Sequence, residues 1–235
     1  MKQEDIFLSV VMPVYNERQT LPEIIRRVLA VPLRKELIIV DDCSSDGSRE
    51  YLQSLNDKNI TVLFHKKNKG KGAALNTGFQ HCSGNLVVVQ DADLEYDPAE
   101  YPKLIYPVIH LGADVVYGSR FAGEGPHRVL FFWHYVGNKL LTLISNMFSN
   151  LNLTDMETCF KLFKTEVIRQ ITIRSKGFGV EPELTLKVAR LNCKVFEVGI
   201  SYAGRSYQEG KKITWKDGIR AFGSILRFGI FDRSL

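Results

Sequence analysis

Short hydrophobic segments alternate with helical patterns along the first half of the chain, and this alternation restricts the possible folds more than any other feature. The segments rich in β-branched and aliphatic residues are 8–14, 36–41, 60–64 and 87–89. Helical patterns follow the first three, at about 20–30, 46–55 and from about Ala73 onward. This order predicts right-handed crossovers and a mainly parallel α/β sheet with helices on both faces.

Polar side chains follow three of these predicted strands. The first strand is followed by Tyr15-Asn16-Glu17, the second ends in Asp41-Asp42, and the fourth leads into the acidic run 91–95. Ligands of such sheets bind at the carboxyl ends of the strands. We therefore expect the three polar segments to meet in one cleft.

The acidic run contains Asp91, Asp93 and Glu95. Alternate side chains of an extended chain share a face, so Asp91 and Asp93 should lie together, joined by Glu95 if the chain stays extended. Clustered carboxylates repel each other without a cation, and oxygen ligands favour Mg²⁺ or Mn²⁺ over zinc. The alternative is a solvated acidic turn that opens a helix, with Asp97 as N-cap and Pro98 as first helical residue.

Composition favours a single globular domain of 235 residues, with 45% hydrophobic and 24% charged residues. The formal net charge of +5 is too small to indicate nucleic-acid binding, but it is compatible with phosphorylated substrates or an anionic membrane face. Four scattered cysteines form no C-x-x-C motif, which argues against a zinc or redox site. We expect no signal peptide and no transmembrane helix.

The second half alternates less regularly. Further strands are expected at 114–117, 159–163 and 195–202, and a helix from Glu181 to about Arg190. Two segments, 129–148 and 214–231, are amphipathic and carry Trp133 and Trp215. Each is either an anchor at a membrane interface or an ordinary helix with a core face. We treat the chain as one domain with two halves, residues 1–117 and 118–235.

Two familiar phosphate-binding motifs are not supported. Gly70-x-Gly72 lacks the third glycine of a dinucleotide fingerprint and follows the third strand rather than the first. The chain also has no G-x-x-x-x-G-K-[ST] loop, which excludes P-loop phosphotransferases.

Six segments occur in a fixed order along the chain: Pro13-Val14-Tyr15-Asn16-Glu17, Val40-Asp41-Asp42-Cys43-Ser44-Ser45-Asp46-Gly47, Asn68-Lys69-Gly70-Lys71-Gly72, Asp91-Ala92-Asp93-Leu94-Glu95, Gly118-Ser119-Arg120-Phe121, and Arg205 with Glu209-Gly210-Lys211. Together they resemble the family 2 inverting glycosyltransferases of GT-A fold, and within them the dolichyl- or polyprenyl-phosphate mannose and glucose synthases. The resemblance implies that residues 1–117 form a nucleotide-sugar-binding half and residues 118–235 an acceptor-binding half. Many lipid-phosphate synthases have Gln where this chain has Glu95.

The resemblance implies a set of site residues. The residues expected to bind the donor are Pro13, Val14, Tyr15, Glu17, Asp42, Lys71, Asp91, Ala92 and Asp93. Asp93 and Glu95 are expected to bind the metal, Mg²⁺ or Mn²⁺, and to hold it on the pyrophosphate. The catalytic residues are Asp93, Arg120 and Arg205. Arg128, Arg205 and Lys211 are expected to bind the acceptor phosphate.

The reaction implied is transfer of a hexose from GDP-mannose or UDP-glucose to a polyprenyl phosphate. A phosphate monoester is largely dianionic near neutrality, with a second pKa of about 6, so it needs little help from a general base. A sugar hydroxyl as acceptor is the alternative, and it would make Glu181 or Asp155 the base. A non-catalytic nucleotide-sugar-binding subunit is a second alternative.

The expected partners follow from this reaction. They are the nucleotide-sugar donor, the polyprenyl-phosphate acceptor, a membrane surface and a membrane-protein partner, with no nucleic acid. The expected location is cytoplasmic, peripheral to the cytoplasmic face of the membrane.

Overall fold

The computed structural model describes residues 3–123, 128–129, 131–206, 208, 215–232 and 234–235. Within them, one seven-stranded sheet is built from both halves of the chain. Its strands are β1 (Leu8–Val14), β2 (Lys35–Asp41), β3 (Ile60–Phe64), β4 (Leu86–Val89), β5 (Val115–Ser119), β6 (Lys161–Lys164) and β7 (Val195–Gly199). They are ordered β3-β2-β1-β4-β6-β5-β7.

Helices connect these strands. They are α1 (Leu21–Ala30), α2 (Ser48–Gln53), α3 (Lys71–Phe79), α4 (Tyr101–His110), α5 (Phe132–Ser149), α6 (Thr165–Ile168), α7 (Val180–Arg190) and α8 (Trp215–Leu226). Short 3₁₀ turns lie at Gln3–Asp5 and Pro98–Glu100, and a π-helical turn, Arg227–Phe231, extends α8.

The predicted sheet covered on both faces is confirmed. Successive side chains of β1 alternate between two buried hydrophobic clusters, with Val10 and Met12 in one and Val11 in the other. The first cluster includes residues of α1 and α4, and the second includes residues of α3 and α7. Both faces of the strand are therefore buried, which explains why its sequence is continuously hydrophobic.

The sheet is mainly parallel, as expected, with one reversal. β6 runs antiparallel to both β4 and β5, whereas β7 pairs parallel with β5. β6 thus joins the strands of the first half to β5 and β7, and it brings the loop before it, residues 150–160, to the carboxyl end of β4.

The expectation of an extended acidic run is wrong. β4 ends at Val89, the chain turns through residues 92–96, and Leu94 has a positive φ of 65°. The N-cap that the alternative interpretation predicted at Asp97 is present. The Asp97 carboxylate accepts a hydrogen bond from the Ala99 N–H at 3.0 Å, at the start of the 3₁₀ turn that precedes α4. The acids therefore converge through a turn and not through strand alternation.

The two amphipathic segments form α5 and α8, which pack against each other. The buried positions of α5 are Thr142 and Ser145, while Trp133 (78% exposed) and Met147 (75%) face outward. Further exposed apolar side chains are Phe132, Leu140, Leu143, Trp215, Ile219 and Phe231. Each helix also has a core face, as the alternative interpretation predicted, because Leu141 and Ile144 of α5 and Ile225 of α8 pack into the second hydrophobic cluster. No helix among the described residues is both long and apolar enough to cross a membrane.

Candidate active site

The loops after β1, β2 and β4 meet at the carboxyl edge of the sheet. The Asn16 N–H donates to Ser44 Oγ at 3.0 Å, and the Ser45 N–H donates to the Asn16 side-chain oxygen at 2.8 Å. Thr20 Oγ1 donates to the Ala92 carbonyl at 2.7 Å. The expectation of one shared cleft is therefore confirmed for these three strand ends.

Asp42 is buried and holds the basic turn that precedes α3. Its carboxylate accepts hydrogen bonds from the N–H groups of Lys69 (2.9 Å) and Gly70 (2.6 Å), and it lies 2.7 Å from His65 Nδ1. Both carboxylate oxygens are therefore already used inside the protein. In this structure Asp42 shapes the turn beside the cleft.

The same turn presents Lys71 to the acidic loop. Lys71 Nζ lies 2.8 Å from Asp91 Oδ1 and 3.7 Å from Glu181 Oε1. Burial opposes the charge on Lys71, but Asp91, Cys159 and Glu181 outweigh it and raise the pKa of the lysine well above its ordinary value. The ammonium group is thus held charged at the start of α3.

The glycines on either side of Lys71 are required by close contact with the second half of the chain. Gly70 has a φ of 87°, and a Cβ there would collide with the Lys176 carbonyl oxygen. A Cβ on Gly72 would collide with the Ser175 carbonyl oxygen. The Gly-Lys-Gly turn therefore serves close backbone approach and the placement of Lys71.

Three carboxylates surround a single guanidinium group, and we call Glu17, Asp93 and Glu95 the acid cluster. Arg205 donates to Glu17 Oε2 at 3.2 Å and to Asp93 Oδ2 at 3.1 Å, and its Nε lies 3.6 Å from Glu95 Oε1. The acids come from the loops after β1 and β4, whereas Arg205 comes from the segment after β7. The cluster therefore joins the two halves of the chain.

Glu95 also fixes the backbone of the segment that carries Arg205. Its Oε2 accepts from the Tyr202 hydroxyl at 2.8 Å, and its Oε1 accepts from the Arg205 N–H at 2.8 Å. The Ala203 N–H donates to the Glu95 carbonyl at 3.0 Å. Glu95 thus ties residues 202–205 to the acidic loop.

The acid cluster is suited to a divalent cation. Its oxygens already surround one positive group, and burial, Asp91 and Glu95 together raise the pKa of Asp93 to about 7, so a nearby cation would stabilise its ionised form. In the part of the chain that the structure describes, no three His, Cys, Asp or Glu side chains are arranged to hold a metal unaided. Mg²⁺ commonly takes one or two carboxylates and completes its shell with water and phosphate oxygens. Asp93 and Glu95 fit that pattern.

Arg120 lies in a different environment. Its Nε and Nη2 donate to the two oxygens of Asp155 at 2.6 and 2.7 Å, and its N–H donates to the same carboxylate at 3.1 Å. Burial opposes ionisation of Asp155, which is 0% exposed, but Arg120 outweighs it and holds the pKa of the carboxyl below its usual range. Asn138 on α5 also donates to Asp155. The guanidinium is thus committed within the protein.

The two residues considered as general bases are both engaged. Asp155 is paired with Arg120, and Glu181 Oε2 is paired with the buried Lys161 ammonium. Both oxygens of Asp155 are hydrogen-bonded within the protein, whereas Glu181 Oε1 has no hydrogen-bond partner and lies 3.7 Å from Lys71 Nζ.

These contacts are accompanied by similarity to known proteins. The family model described as glycosyl transferase family 2 matches residues 9–172, which is more than half of the chain. The chain belongs to glycosyl transferase family 2. The resemblance drawn from the six motifs is therefore confirmed at the level of the family.

Named relatives carry the comparison further. A dolichol-phosphate mannosyltransferase of Pyrococcus furiosus is 31% identical over 213 residues, covering 88% of this chain and 60% of the relative. An undecaprenyl-phosphate mannosyltransferase of Micrococcus luteus is 28% identical over 213 residues, covering 86% and 85%. This chain thus spans about 60% of the length of the Pyrococcus protein and most of the Micrococcus protein.

Solved structures support the fold. Glucosyl-3-phosphoglycerate synthase from Mycobacterium tuberculosis, solved with Mn²⁺, UDP and phosphoglyceric acid, superposes with a TM-score of 0.76 at 20% identity, covering 97% of this chain and 80% of that one. The same enzyme with Mg²⁺ and UDP gives a TM-score of 0.71 at 20% identity, covering 95% and 79%. The predicted GT-A fold is confirmed.

The other predicted site residues lie as follows. Val14 and Ala92 are buried, Pro13 is half-buried, and Tyr15 is exposed at the cleft edge of the sheet. Arg128 donates to the Gly204 carbonyl at 2.9 Å and, with Glu95 and Tyr202, lines a cavity of about 340 Å³. Lys211 and the Glu209-Gly210 pair lie outside the described residues.

Sequence reasoning missed two residues of the site. The Tyr202 hydroxyl bonds Glu95, and its ring lies 5.2 Å from the Arg120 guanidinium carbon. Glu157 lies in the loop before β6, close enough to Arg120, Asp155 and Glu181 to interact electrostatically with all three. Glu157 belongs to no motif or periodic pattern, and Tyr202 only ends a predicted strand, so the sequence carries no local signal that either residue belongs to the site.

Proposed function

We propose that this glycosyltransferase moves a hexose from a nucleotide sugar, GDP-mannose or UDP-glucose, to the phosphate of a polyprenyl carrier. The observation that carries the proposal is the acid cluster around Arg205. It brings acids for a metal-bound diphosphate and a cation for a second phosphate within hydrogen-bonding distance of each other. Such closeness is what a reaction between two anionic substrates requires.

On the donor side, Asp93 and Glu95 would hold Mg²⁺ or Mn²⁺. The ion would neutralise the diphosphate as it departs. Lys71, Asp91 and Glu17 line the same edge of the sheet, with Pro13, Val14, Tyr15, Asp42 and Ala92 shaping the nucleotide pocket. The UDP-bound relatives of the same fold, solved with Mn²⁺ or Mg²⁺, support this assignment.

On the acceptor side, Arg205 is the principal phosphate-binding group, and Arg128 and Lys211 are proposed to bind the same phosphate. Arg205 donates through both terminal nitrogens, a geometry that suits phosphate. Arg120 is a positioning residue in this proposal, because Asp155 already occupies its guanidinium. The engagement of Asp155 and Glu181 in ion pairs favours a phosphate acceptor over a sugar hydroxyl, since a phosphate needs no base.

The exposed apolar surface of α5 and α8 supports an acceptor that resides in a membrane. Trp133, Phe132, Trp215 and Phe231 are all more than half exposed, which is unusual for a soluble surface of this size. Aromatic side chains of this kind favour the headgroup region of a bilayer. The lipid-phosphate substrates named for the Pyrococcus and Micrococcus relatives agree with this. Binding at the cytoplasmic face and a membrane-protein partner stay predictions.

A transfer assay tests the proposal. The protein is incubated with radiolabelled GDP-mannose or UDP-glucose, polyprenyl phosphate and Mg²⁺ or Mn²⁺, and the mixture is extracted with organic solvent. We expect label in the organic phase with one of the donors, none with Asp93→Ala, and an unchanged yield with the matched surface variant Glu166→Gln. No label in the organic phase with any donor, or label recovered on a saccharide acceptor instead, would overturn the lipid assignment.

A further inference from the structure

Buried side-chain atoms without a hydrogen-bond partner concentrate around the candidate active site. Among the described residues there are four such atoms: Ser145 Oγ, Glu157 Oε1, Glu181 Oε1 and Arg205 Nε. Buried polar atoms are normally paired, so each exception calls for a partner or a function. Arg205 lies against the acid cluster, and Glu181 Oε1 lies 3.7 Å from Lys71 Nζ, which leaves Ser145 on α5 and Glu157, of which only Glu157 is ionisable.

The loop that carries Glu157 is held rigidly by its neighbours. The N–H groups of Thr154 and Asp155 donate to the Glu197 carboxylate, and the Met156 N–H donates to Thr142 Oγ1. On the other side of Glu157, the Lys161 ammonium donates to the Met156 and Thr158 carbonyls. Almost every polar group around Glu157 is thus used for structure, whereas its own Oε1 is not.

Glu157 lies in the chain between Asp155, which pairs with Arg120, and Thr158, whose carbonyl accepts from the Lys161 ammonium that pairs with Glu181. All four charged groups lie close enough to Glu157 to act on its charge. Glu181 in turn adjoins the Lys71–Asp91 pair of the donor side. Burial and Glu181 raise the pKa of Glu157 to about 7, so the carboxyl can both accept and donate a hydrogen bond near neutrality.

The chemistry of this position selects one part of the substrates. Carboxylate oxygens repel both phosphate groups, but they accept strongly from hydroxyl groups. The transferred hexose is rich in hydroxyls and must sit between the diphosphate and the acceptor phosphate. The unused oxygens of Glu157 and Glu181 therefore match a sugar and not a phosphate.

We infer that Glu157, with Glu181 beside it, binds hydroxyl groups of the transferred hexose and so determines which sugar the enzyme accepts. This inference rests on the proposed function and deepens it by adding a specificity-determining residue. Glu157 contributes no hydrogen bond to the fold through its buried oxygen, so its removal should weaken substrate binding without weakening the fold.

Calorimetric titration separates the sugar from the nucleotide. UDP, UDP-glucose, GDP and GDP-mannose are each titrated with Mn²⁺ into the wild type, Glu157→Ala, Glu157→Gln and the control Glu166→Gln, an exposed glutamate on α6. Glu157→Ala should weaken binding of the preferred nucleotide sugar by about 10- to 100-fold, the loss expected for a hydrogen bond to a charged group. Binding of the matching nucleoside diphosphate should stay within twofold, Glu157→Gln should retain part of the affinity, and no Glu157 variant should melt at a lower temperature than the wild type.

Three results would overturn the inference: an equal loss for nucleotide and nucleotide sugar, no loss for either, or a fall in turnover with unchanged nucleotide-sugar affinity, which would make Glu157 a base. Failure of the wild type to bind any of the four ligands would instead contradict the proposed function itself, and the inference with it.

Discussion

Arg120 and Arg205 were expected to act together, yet their guanidinium groups are held in opposite ways. Arg120 makes a two-pronged bond to one carboxylate, Asp155, with distances of 2.6 and 2.7 Å. Arg205 is shared among three carboxylates. Its terminal nitrogens lie 3.1 to 3.3 Å from oxygens of Glu17 and Asp93, and its Nε, which has no hydrogen-bond partner, lies 3.6 Å from Glu95 Oε1. The first arginine is held by a close pair with one acid, whereas the second is shared among several acids and leaves its Nε without a hydrogen bond.

This difference separates structural from functional roles. A short, bidentate and buried pair stabilises the arrangement in which it sits, and removing one partner leaves a charge stranded. A guanidinium held by longer bonds to several acids can be exchanged for another cation or can move to a phosphate. We therefore expect loss of Arg120 or Asp155 to weaken the fold, and loss of Arg205 to weaken the reaction.

The largest effect is expected from Asp155→Ala. It strands the Arg120 guanidinium, so the free energy of unfolding in denaturant titrations should fall by about 3–5 kcal/mol. The Asp155 carboxyl has a lowered pKa in the folded state, so its contribution is present above the unfolded-state pKa and is lost as the pH falls. The wild type and the variant should accordingly become more alike in acid.

A surface ion pair provides the control. Glu23 bonds Arg26 and Arg27 on the exposed side of α1, and Glu23→Ala should change stability little. If Asp155→Ala were as mild as Glu23→Ala, Arg120 would not be committed to the fold and the comparison would fail.

The next effect is expected from Arg205→Ala. The rate of transfer should fall about 100-fold or more, as for other groups that stabilise developing charge, and Arg205→Lys should recover part of it. Without divalent ions the variant should also melt earlier, because three carboxylates are left facing each other. Added Mg²⁺ should restore its melting temperature more than that of the wild type, since the ion replaces the lost charge.

Asp155→Ala serves as the counterpart in the same melting experiment. The Arg120–Asp155 pair lies outside the acid cluster, so Mg²⁺ should not restore the melting temperature of Asp155→Ala. Equal recovery of both variants, or of neither, would remove the distinction between the two arginines.

The smallest effect is expected from Glu157→Gln, and it follows from a comparison of Glu157 with Asp155 in the same loop. Burial and Glu181 raise the pKa of Glu157 to about 7, whereas that of Asp155 is lowered. Folded Glu157 therefore holds its proton more tightly than the unfolded chain, and stability falls as the pH rises from about 4.5 to 7. Glu157→Gln should gain roughly 1–3 kcal/mol relative to the wild type across that window. If the free energy of unfolding changed with pH in the same way for the wild type and Glu157→Gln, the raised pKa of Glu157 would be contradicted.

Much of the first half could be predicted because its signals are local. The β3 bounds, 60–64, are those expected, since a short β-branched run between polar turns determines a strand. The helix α3 begins at Lys71, two residues before the expected Ala73, and the residue that precedes it, Gly70, packs against the backbone of Lys176, a contact that no local signal indicates. The turn in residues 91–95 could not be predicted either, because it depends on contacts between Glu95 and residues 202–205.

The site could be predicted in its parts but not in its pairings. Glu95 and Arg205 are 110 residues apart, and Arg120 and Asp155 are 35 apart, so no periodicity links them. The antiparallel insertion of β6 brings these partners together, and strand order of this kind depends on the whole sheet. Resemblance identified Arg120 and Arg205 alike, but only their contacts distinguish them.

The central claim is that Asp93 belongs to a divalent-cation site on the donor diphosphate. Calorimetric binding of UDP and GDP with and without Mn²⁺, to wild type and Asp93→Asn, tests it most directly. The wild type should bind one nucleotide tightly only when Mn²⁺ is present, and Asp93→Asn should lose that metal-dependent gain while keeping its fold. Metal-dependent binding of unchanged affinity in Asp93→Asn would contradict the claim.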